Sequence, residues 1–181
     1  MRIAILSDTH GSLTAFRRAL QVAGSCDFIV HAGDILYHGP RNPLPEGYNP
    51  KELASAINAL NVPFIAAAGN CDAPIDQAML SVPVQAPYAL LYLENYQILI
   101  NHGHDTTQEE LITLSRKWNI QLLITGHTHV KRLEKNKDLT LLNPGSCALP
   151  KDGISSIAIF EDSNISLVNI ENGQTIKSLS V

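Results

Sequence analysis

Seven side chains of metal-ligating type fall in five short segments of this 181-residue chain: Asp8 with His10, Asp34, Asn70, His102, and His127 with His129. Singly, each reads most simply as a cap, a turn former or a satisfied polar residue. Jointly they point to metal. Carboxylate, amide and imidazole donors without a thiolate suit Mn²⁺, Fe or Zn²⁺ in a working site better than a structural zinc site, which favours cysteine. In the Asp-x-His and His-x-His pairs, two donors lie on the same side of an extended stretch and can face one ion. Seven such residues are too many for one ion. They suit two ions roughly 3.5–4 Å apart sharing one carboxylate, the arrangement of two-metal phosphoryl-transfer sites. Asp34 is the candidate bridge.

Donors this far apart in sequence converge only if the fold carries them to one edge. In open α/β sheets that edge is the carboxyl end of the strands. Arg2 to Ser7 reads as a short apolar strand ending in the loop Asp8-Thr9-His10-Gly11. Ser12 can cap the next helix, with Leu13, Phe16 and Leu20 on one face and Gly24 as its stop. Asp27 to Ala32 is again strand-like and runs into Gly33-Asp34. The segment Leu36 to Pro50 holds four prolines and two glycines and reads as a long functional loop. Asn49-Pro50 opens a helix carrying Leu53, Ile57 and Leu60; Pro63 then opens a strand, Phe64 to Ala68, ending in Gly69-Asn70-Cys71-Asp72.

Tyr88 to Leu93 and Tyr96 to Asn101 form an expected hairpin around Glu94-Asn95, leading into His102-Gly103-His104. Thr107 and Glu110 make a capping box for a helix with Leu111, Leu114 and Trp118. Ile120 to Thr125 is a strand before Gly126-His127-Thr128-His129, and the remainder reads as antiparallel strands joined by turns such as Asn136-Lys137-Asp138. Early βα alternation followed by a β-rich half predicts packed sheets with helices outside them, a layered α/β sandwich. With no repeat or linker, a single domain over residues 1–181 is expected.

Composition narrows the partners. Apolar residues make up 45% and charged residues 17%, a globular balance. The net charge of −4 and the lack of a Lys/Arg block argue against a nucleic-acid footprint. Three scattered cysteines, Cys26, Cys71 and Cys147, suggest neither a disulfide framework nor a zinc ribbon and fit a reducing cytoplasm. The N-terminal apolar run is too short for a signal peptide, and no stretch approaches the ~20 residues of a membrane helix.

The motifs Ser7-Asp8-Thr9-His10-Gly11, Gly33-Asp34, Gly69-Asn70-Cys71-Asp72, His102-Gly103-His104 and Gly126-His127-Thr128-His129, in this order, resemble those of the calcineurin-like metallophosphoesterases. A narrower likeness, to the small YfcE-type phosphodiesterases, is carried by His38-Gly39-Pro40-Arg41-Asn42 and Asn143-Pro144-Gly145-Ser146. The resemblance implies two packed mixed β-sheets flanked by helices and a centre of two divalent ions, Mn²⁺ preferred with Zn²⁺ or Fe as alternatives. It implies that Asp8, His10, Asp34 and His129 hold one ion and that Asp34, Asn70, His102 and His127 hold the other. The implied reaction is hydrolysis of a small phosphodiester by in-line attack of a metal-bridging hydroxide, with Asp34 and Asn70 taking part. The same likeness implies a homo-oligomer.

One departure bears on substrate choice. Many relatives carry a histidine after the Asn of the third motif, where it helps protonate the leaving oxygen; Cys71 stands there in this chain. A thiol is a weaker acid near neutral pH, so good leaving groups, and diesters over monoesters, are expected. His38 and Arg41 are candidate substrate contacts. His31 reads as a packed or supporting residue, and His104 as a turn residue in preference to one touching the second ion's surroundings. The motif glycines read as turn formers. Two other functions remain open: a phosphomonoesterase or nucleotide phosphatase with the same centre, and a non-catalytic interaction module of the kind the retromer subunit of this fold represents.

Overall fold

A computed structural model describes residues 1–93 and 95–181; the expected turn at Glu94 lies outside the described residues. The first half alternates strand and helix: β1 (Arg2–Leu6), α1 (Leu13–Ala23), β2 (Phe28–His31), α2 (Pro50–Asn58) and β3 (Phe64–Ala67). A 3-10 turn at Asp76–Ala78 precedes β4 (Val84–Gln85), β5 (Ala89–Tyr92) and β6 (Gln97–Ile100). Then follow α3 (Gln108–Lys117), β7 (Leu122–Ile124), β8 (Arg132–Asn136), β9 (Leu139–Asn143), β10 (Ser156–Glu161), β11 (Asn164–Asn169) and β12 (Thr175–Ser180).

The helix ends follow local chemistry. Ser12 accepts from the Ala15 N–H, Asn49 accepts from the Glu52 N–H with Pro50 behind it, and Thr107 with Glu110 forms the reciprocal capping box. Gly24 ends α1 at φ 66°, a left-handed backbone that glycine adopts without a steric penalty.

Two sheets result. One has seven strands in the order β12-β11-β10-β1-β2-β3-β4, the other five in the order β5-β6-β7-β9-β8. Both are mixed. β1, β2, β3 and β4 run parallel, while β10 joins β1 antiparallel. In the second sheet β6, β7 and β9 run parallel, flanked by antiparallel β5 and β8. The final strands were expected to pair with each other; in addition β10 completes the N-terminal sheet and β9 extends β7.

Strand alternation builds the layers. Ala4, Leu6 and Ile29 face Phe16 of α1 and Leu53 of α2. Their neighbours Ile3, Ile5 and Val30 face the second sheet, meeting Ile98, Ile100 and Ile124. The far side of that sheet packs Leu99, Leu123 and Leu141 under Leu111 of α3, with Trp118 at the margin. Full burial of an Ile5 or Phe16 side chain contributes about 1.5–3 kcal/mol. The order is therefore helices, sheet, sheet, helix. Because β1, β2, β3, β6 and β7 end at one rim, all five donor segments emerge there. Among the described residues no helix is long and apolar enough to cross a membrane.

Candidate metal centre

The loops after β1 and β2 are zipped together before any side chain acts. The N–H groups of Asp8, His10 and Gly11 donate to the carbonyls of Gly33, Asp34 and Ile35. The loop after β7 joins through Gly126 N–H to the His102 carbonyl and His127 N–H to Asp8 Oδ2. Behind these loops, Ser146 Oγ donates to the Asp8 carbonyl and Asn143 Nδ2 to the Gly126 carbonyl. Asn143-Pro144-Gly145-Ser146 thus buttresses the site rather than entering it.

Five of the seven expected donors have left-handed backbone: Asp8 (φ 53°), His10 (46°), Asp34 (59°), His127 (66°) and His129 (58°). This corrects the expectation of extended Asp-x-His and His-x-His pairs. Asp8 and His10 converge with both backbones turned backward, a conformation Asp and His tolerate better than most residues, whereas His129 joins Asp8 and His127 turns to Asn70. Such positions cost of order 1–3 kcal/mol each and persist where the surroundings over-determine them.

The inner cluster is tight and buried. Asp8 Oδ1 stands 3.2 Å from His129 Nε2, 3.7 Å from His10 Nε2 and 4.0 Å from His102 Nε2. Asp34 Oδ2 stands 3.3 Å from His102 Nε2 and 3.7 Å from His10 Nε2. All five side chains are buried. Each imidazole is oriented from behind, since Nδ1 of His10, His102 and His129 donates to the carbonyl of Tyr37, Ala32 and Leu149, respectively. That fixes the tautomer of the neutral ring and aims three Nε2 atoms at two carboxylates. The Nε2 atoms of His10 and His129 are only 3.1 Å apart. Two neutral rings so oriented would oppose lone pairs, so a proton or a cation belongs between them. Asp8 Oδ1 and His102 Nε2, both buried, have no hydrogen-bond partner. These orphaned atoms are what a cation site requires, and the donor set fits divalent ions.

Charges respond accordingly. Burial works against ionised Asp8, yet the imidazoles of His10 and His129 outweigh it and hold the carboxyl well below its usual range. Burial also opposes a charged His102, but Asp34 and Asp8 push its pKa up to about 9. His31 behaves oppositely: burial drives its pKa down to about 3. The neutral ring accepts from Gly33 N–H and contacts Thr9 Oγ1 at 3.1 Å, tying the first two loops together, as its reading as a supporting residue anticipates.

The outer donors are more open. Asn70 Oδ1 receives His127 Nδ1 at 2.8 Å, and the His127 ring lies edge-on to His102 with centroids 5.3 Å apart. Both border a cleft of about 990 Å³, which Arg41 and Lys151 also line. His38 does not line it; its ring packs edge-on against Tyr37 and Tyr48. His104, expected in a turn, faces the cleft 5.4 Å from His102 and 6.3 Å from His127, centroid to centroid.

Three contributions are missing from the sequence reading. Asp72 accepts from the N–H groups of Asp34, Ile35 and Gly69 and so sets the Asp34 loop. Lys151 places a cation at the cleft. Gly69 and Gly126 lack the positive φ of turn glycines and instead admit neighbours: a Cβ at Gly69 would collide with Asp34, and one at Gly126 with Ser7. Spacing signals none of these except Asp72, which follows Asn70 in the third motif.

Parallel strand ends carrying buried carboxylates and imidazoles within a layered α/β sandwich define a metallophosphoesterase. The chain belongs to the calcineurin-like phosphoesterase superfamily, whose domain it matches over residues 1–164. It is 34% identical to phosphodiesterase YfcE of Escherichia coli over 184 aligned residues, covering 100% of this chain and 98% of that protein. The solved structure of that phosphoesterase superposes with a TM-score of 0.91 at 33% identity and covers 100% of both chains. A phosphodiesterase of Methanocaldococcus jannaschii is 25% identical, covering 89% of this chain and 93% of that protein. Vps29 from Entamoeba histolytica, solved with Zn²⁺, shares the fold at a TM-score of 0.64 and 20% identity, with 100% and 98% covered.

Proposed function

We propose that this metallophosphoesterase hydrolyses phosphodiesters at a centre of two divalent ions, Mn²⁺ by preference with Zn²⁺ or Fe as alternatives. The observation that carries this reading is the aim of His10, His102 and His129 Nε2 at Asp8 and Asp34, with every Nδ1 committed to a carbonyl. Asp8, His10, Asp34 and His129 would hold one ion; Asp34, Asn70, His102 and His127 would hold the other. When bound, the ions supply Lewis acidity: they neutralise the non-bridging phosphate oxygens and lower the pKa of an attacking water for in-line displacement.

The chain's own groups do the rest. Asp34 lies between the two donor sets, with Oδ1 held by the Cys71 N–H and Oδ2 turned to His10 and His102. Asn70, at the open edge, is placed to position the phosphate, and Arg41 offers a guanidinium at the cleft wall. Cys71 is a poor candidate for the acid. Burial, reinforced by Asp34, pushes its thiol up to about 12. A leaving alkoxide therefore finds no poised donor there, which favours esters with good leaving groups. The diesterase name of the 34% identical relative supports the same choice.

The test compares bis(4-nitrophenyl) phosphate with 4-nitrophenyl phosphate on protein loaded with each metal. Faster metal-dependent turnover of the diester is expected, with Asp34→Asn reducing it by at least about 100-fold. A faster monoester, or turnover indifferent to Asp34, would overturn the reading.

A further inference from the structure

A second recess opens beside the cleft, and its chemistry is different. It has a volume of about 390 Å³, inside the ~300–1,000 Å³ range of small-molecule sites. The cleft presents Arg41, Asn42 and Lys151, whereas the recess presents Leu36, Tyr48, Pro50, Ile75 and Met79. Tyr37, Cys71 and Ala73 line both. This shared wall is fastened to the donor cluster: the Tyr37 carbonyl receives His10 Nδ1 at 3.0 Å, and the Cys71 N–H donates to Asp34 Oδ1 at 2.8 Å. The polar space that Asp34 lines is therefore separated from the apolar one only by the Tyr37, Cys71 and Ala73 wall.

The apolar lining is open to water. Ile75 is 71% exposed, Met79 45% and Tyr37 42%. Such clustered apolar exposure marks a surface that meets a ligand or partner. Of the two charged lining residues, Asp76 turns its carboxylate back onto the Ala73 N–H at 2.8 Å, and Lys51 stands exposed at the rim beside Pro50.

We propose that the Tyr37–Ile75–Met79 recess receives an apolar ester arm, so that the substrate class is a phosphodiester with one aromatic or aliphatic substituent and one polar substituent. This rests on the phosphodiesterase reading above and adds the identity of one arm. A diester has two substituents on phosphorus, and the two spaces that share the Tyr37, Cys71 and Ala73 wall match them in number and in character. The shared wall favours a substrate arm over a second copy of this chain, because whatever fills the recess touches residues bonded to the donors.

Calorimetric titration of the Mn²⁺-loaded protein with methylphosphonate and with benzylphosphonate isolates the arm, since the head group is the same. Benzylphosphonate is expected to bind at least about tenfold tighter, the lower end of the discrimination an apolar pocket achieves for a single methylene. In the Ile75→Ser/Met79→Ser protein the two constants are expected to come within about twofold of each other. Equal binding by the unaltered protein, or a ratio that survives the double substitution, overturns the proposal while diester turnover leaves the phosphodiesterase reading standing. Absence of both metal-dependent phosphonate binding and diester turnover overturns the two together. Sedimentation of both proteins supplies the remaining outcome: a dimer that the double substitution dissociates would show the recess covered by a second copy, which also contradicts a substrate arm.

Discussion

Asp72 holds Asp34 by its backbone: Oδ2 accepts from the Asp34 N–H at 2.8 Å while Oδ1 accepts from the adjoining Ile35 N–H at 2.7 Å. Oδ2 also accepts from Gly69 N–H, so one carboxylate joins the loops after β2 and β3. Asp72→Ala leaves three donors to find new partners, at roughly 1–3 kcal/mol for each that fails. Denaturant unfolding is expected to show that loss, and metal titration an affinity roughly 10–100-fold lower, as for other residues that support ligands from behind. Asp72→Asn keeps one acceptor and should fall between. Unchanged metal affinity in Asp72→Ala would remove its positioning role.

Acidity gives the metal-free protein a defined profile. His102 has its pKa raised from 6.5 to about 9, so its stabilising contribution is complete below pH 6.5 and fades as pH climbs through about 9. His10 is raised as well and acts in the same direction. Asp8 and Asp34 are lowered, so their contribution is present above the ordinary carboxylate range and is lost on acidification. His31, kept neutral down to about pH 3, costs stability as pH falls below 6.5, so metal-stripped protein should be most stable near pH 6.5 and lose Tm steadily toward pH 9. Metal uptake displaces the His102 proton, so affinity should rise over the same interval with measurable proton release. A Tm that is flat from pH 6.5 to 9 after chelation would contradict the protonated cluster.

Gly126 tests close approach rather than turn geometry. A Cβ there would collide with Ser7 Oγ and stand 3.0 Å from both Asp8 Oδ2 and His102 Nδ1. Gly126→Ala should cost about 1–3 kcal/mol by overpacking and lower Tm by several degrees. It should also weaken metal binding, because the atoms that must move belong to or support Asp8 and His102. Gly173→Ala, where nothing lies within 4 Å but φ is 72°, provides a control for backbone strain alone. Equal metal affinity in the two variants would show that contact at Gly126 is immaterial.

Local chemistry made much of the fold legible. Ser12, Asn49 and the Thr107/Glu110 pair act within three residues of themselves, and their helices begin where those residues predict. The strand ends were readable because apolar runs stop at polar motifs. β4 was not: it has two residues, Val84–Gln85, and exists only by pairing with β3. Lys151 escaped notice for a related reason, since it has no spacing signature and reaches the cleft through contacts remote in sequence, whereas His104 is visible in the His102-Gly103-His104 motif but reads as a turn residue. His38 lies apart from the cleft wall. It shares a motif with Arg41, yet the loop turns Arg41 to the cleft and folds His38 between two tyrosines.

Occupancy by metal is the most direct test. Crystals grown with Mn²⁺ and recorded for anomalous scattering should show two peaks per chain, roughly 3.5–4 Å apart with Asp34 between them. One peak should lie among Asp8, His10 and His129, and the other among Asn70, His102 and His127. A cluster that binds no cation, or a single ion that leaves Asp34 unengaged, would contradict the two-metal centre.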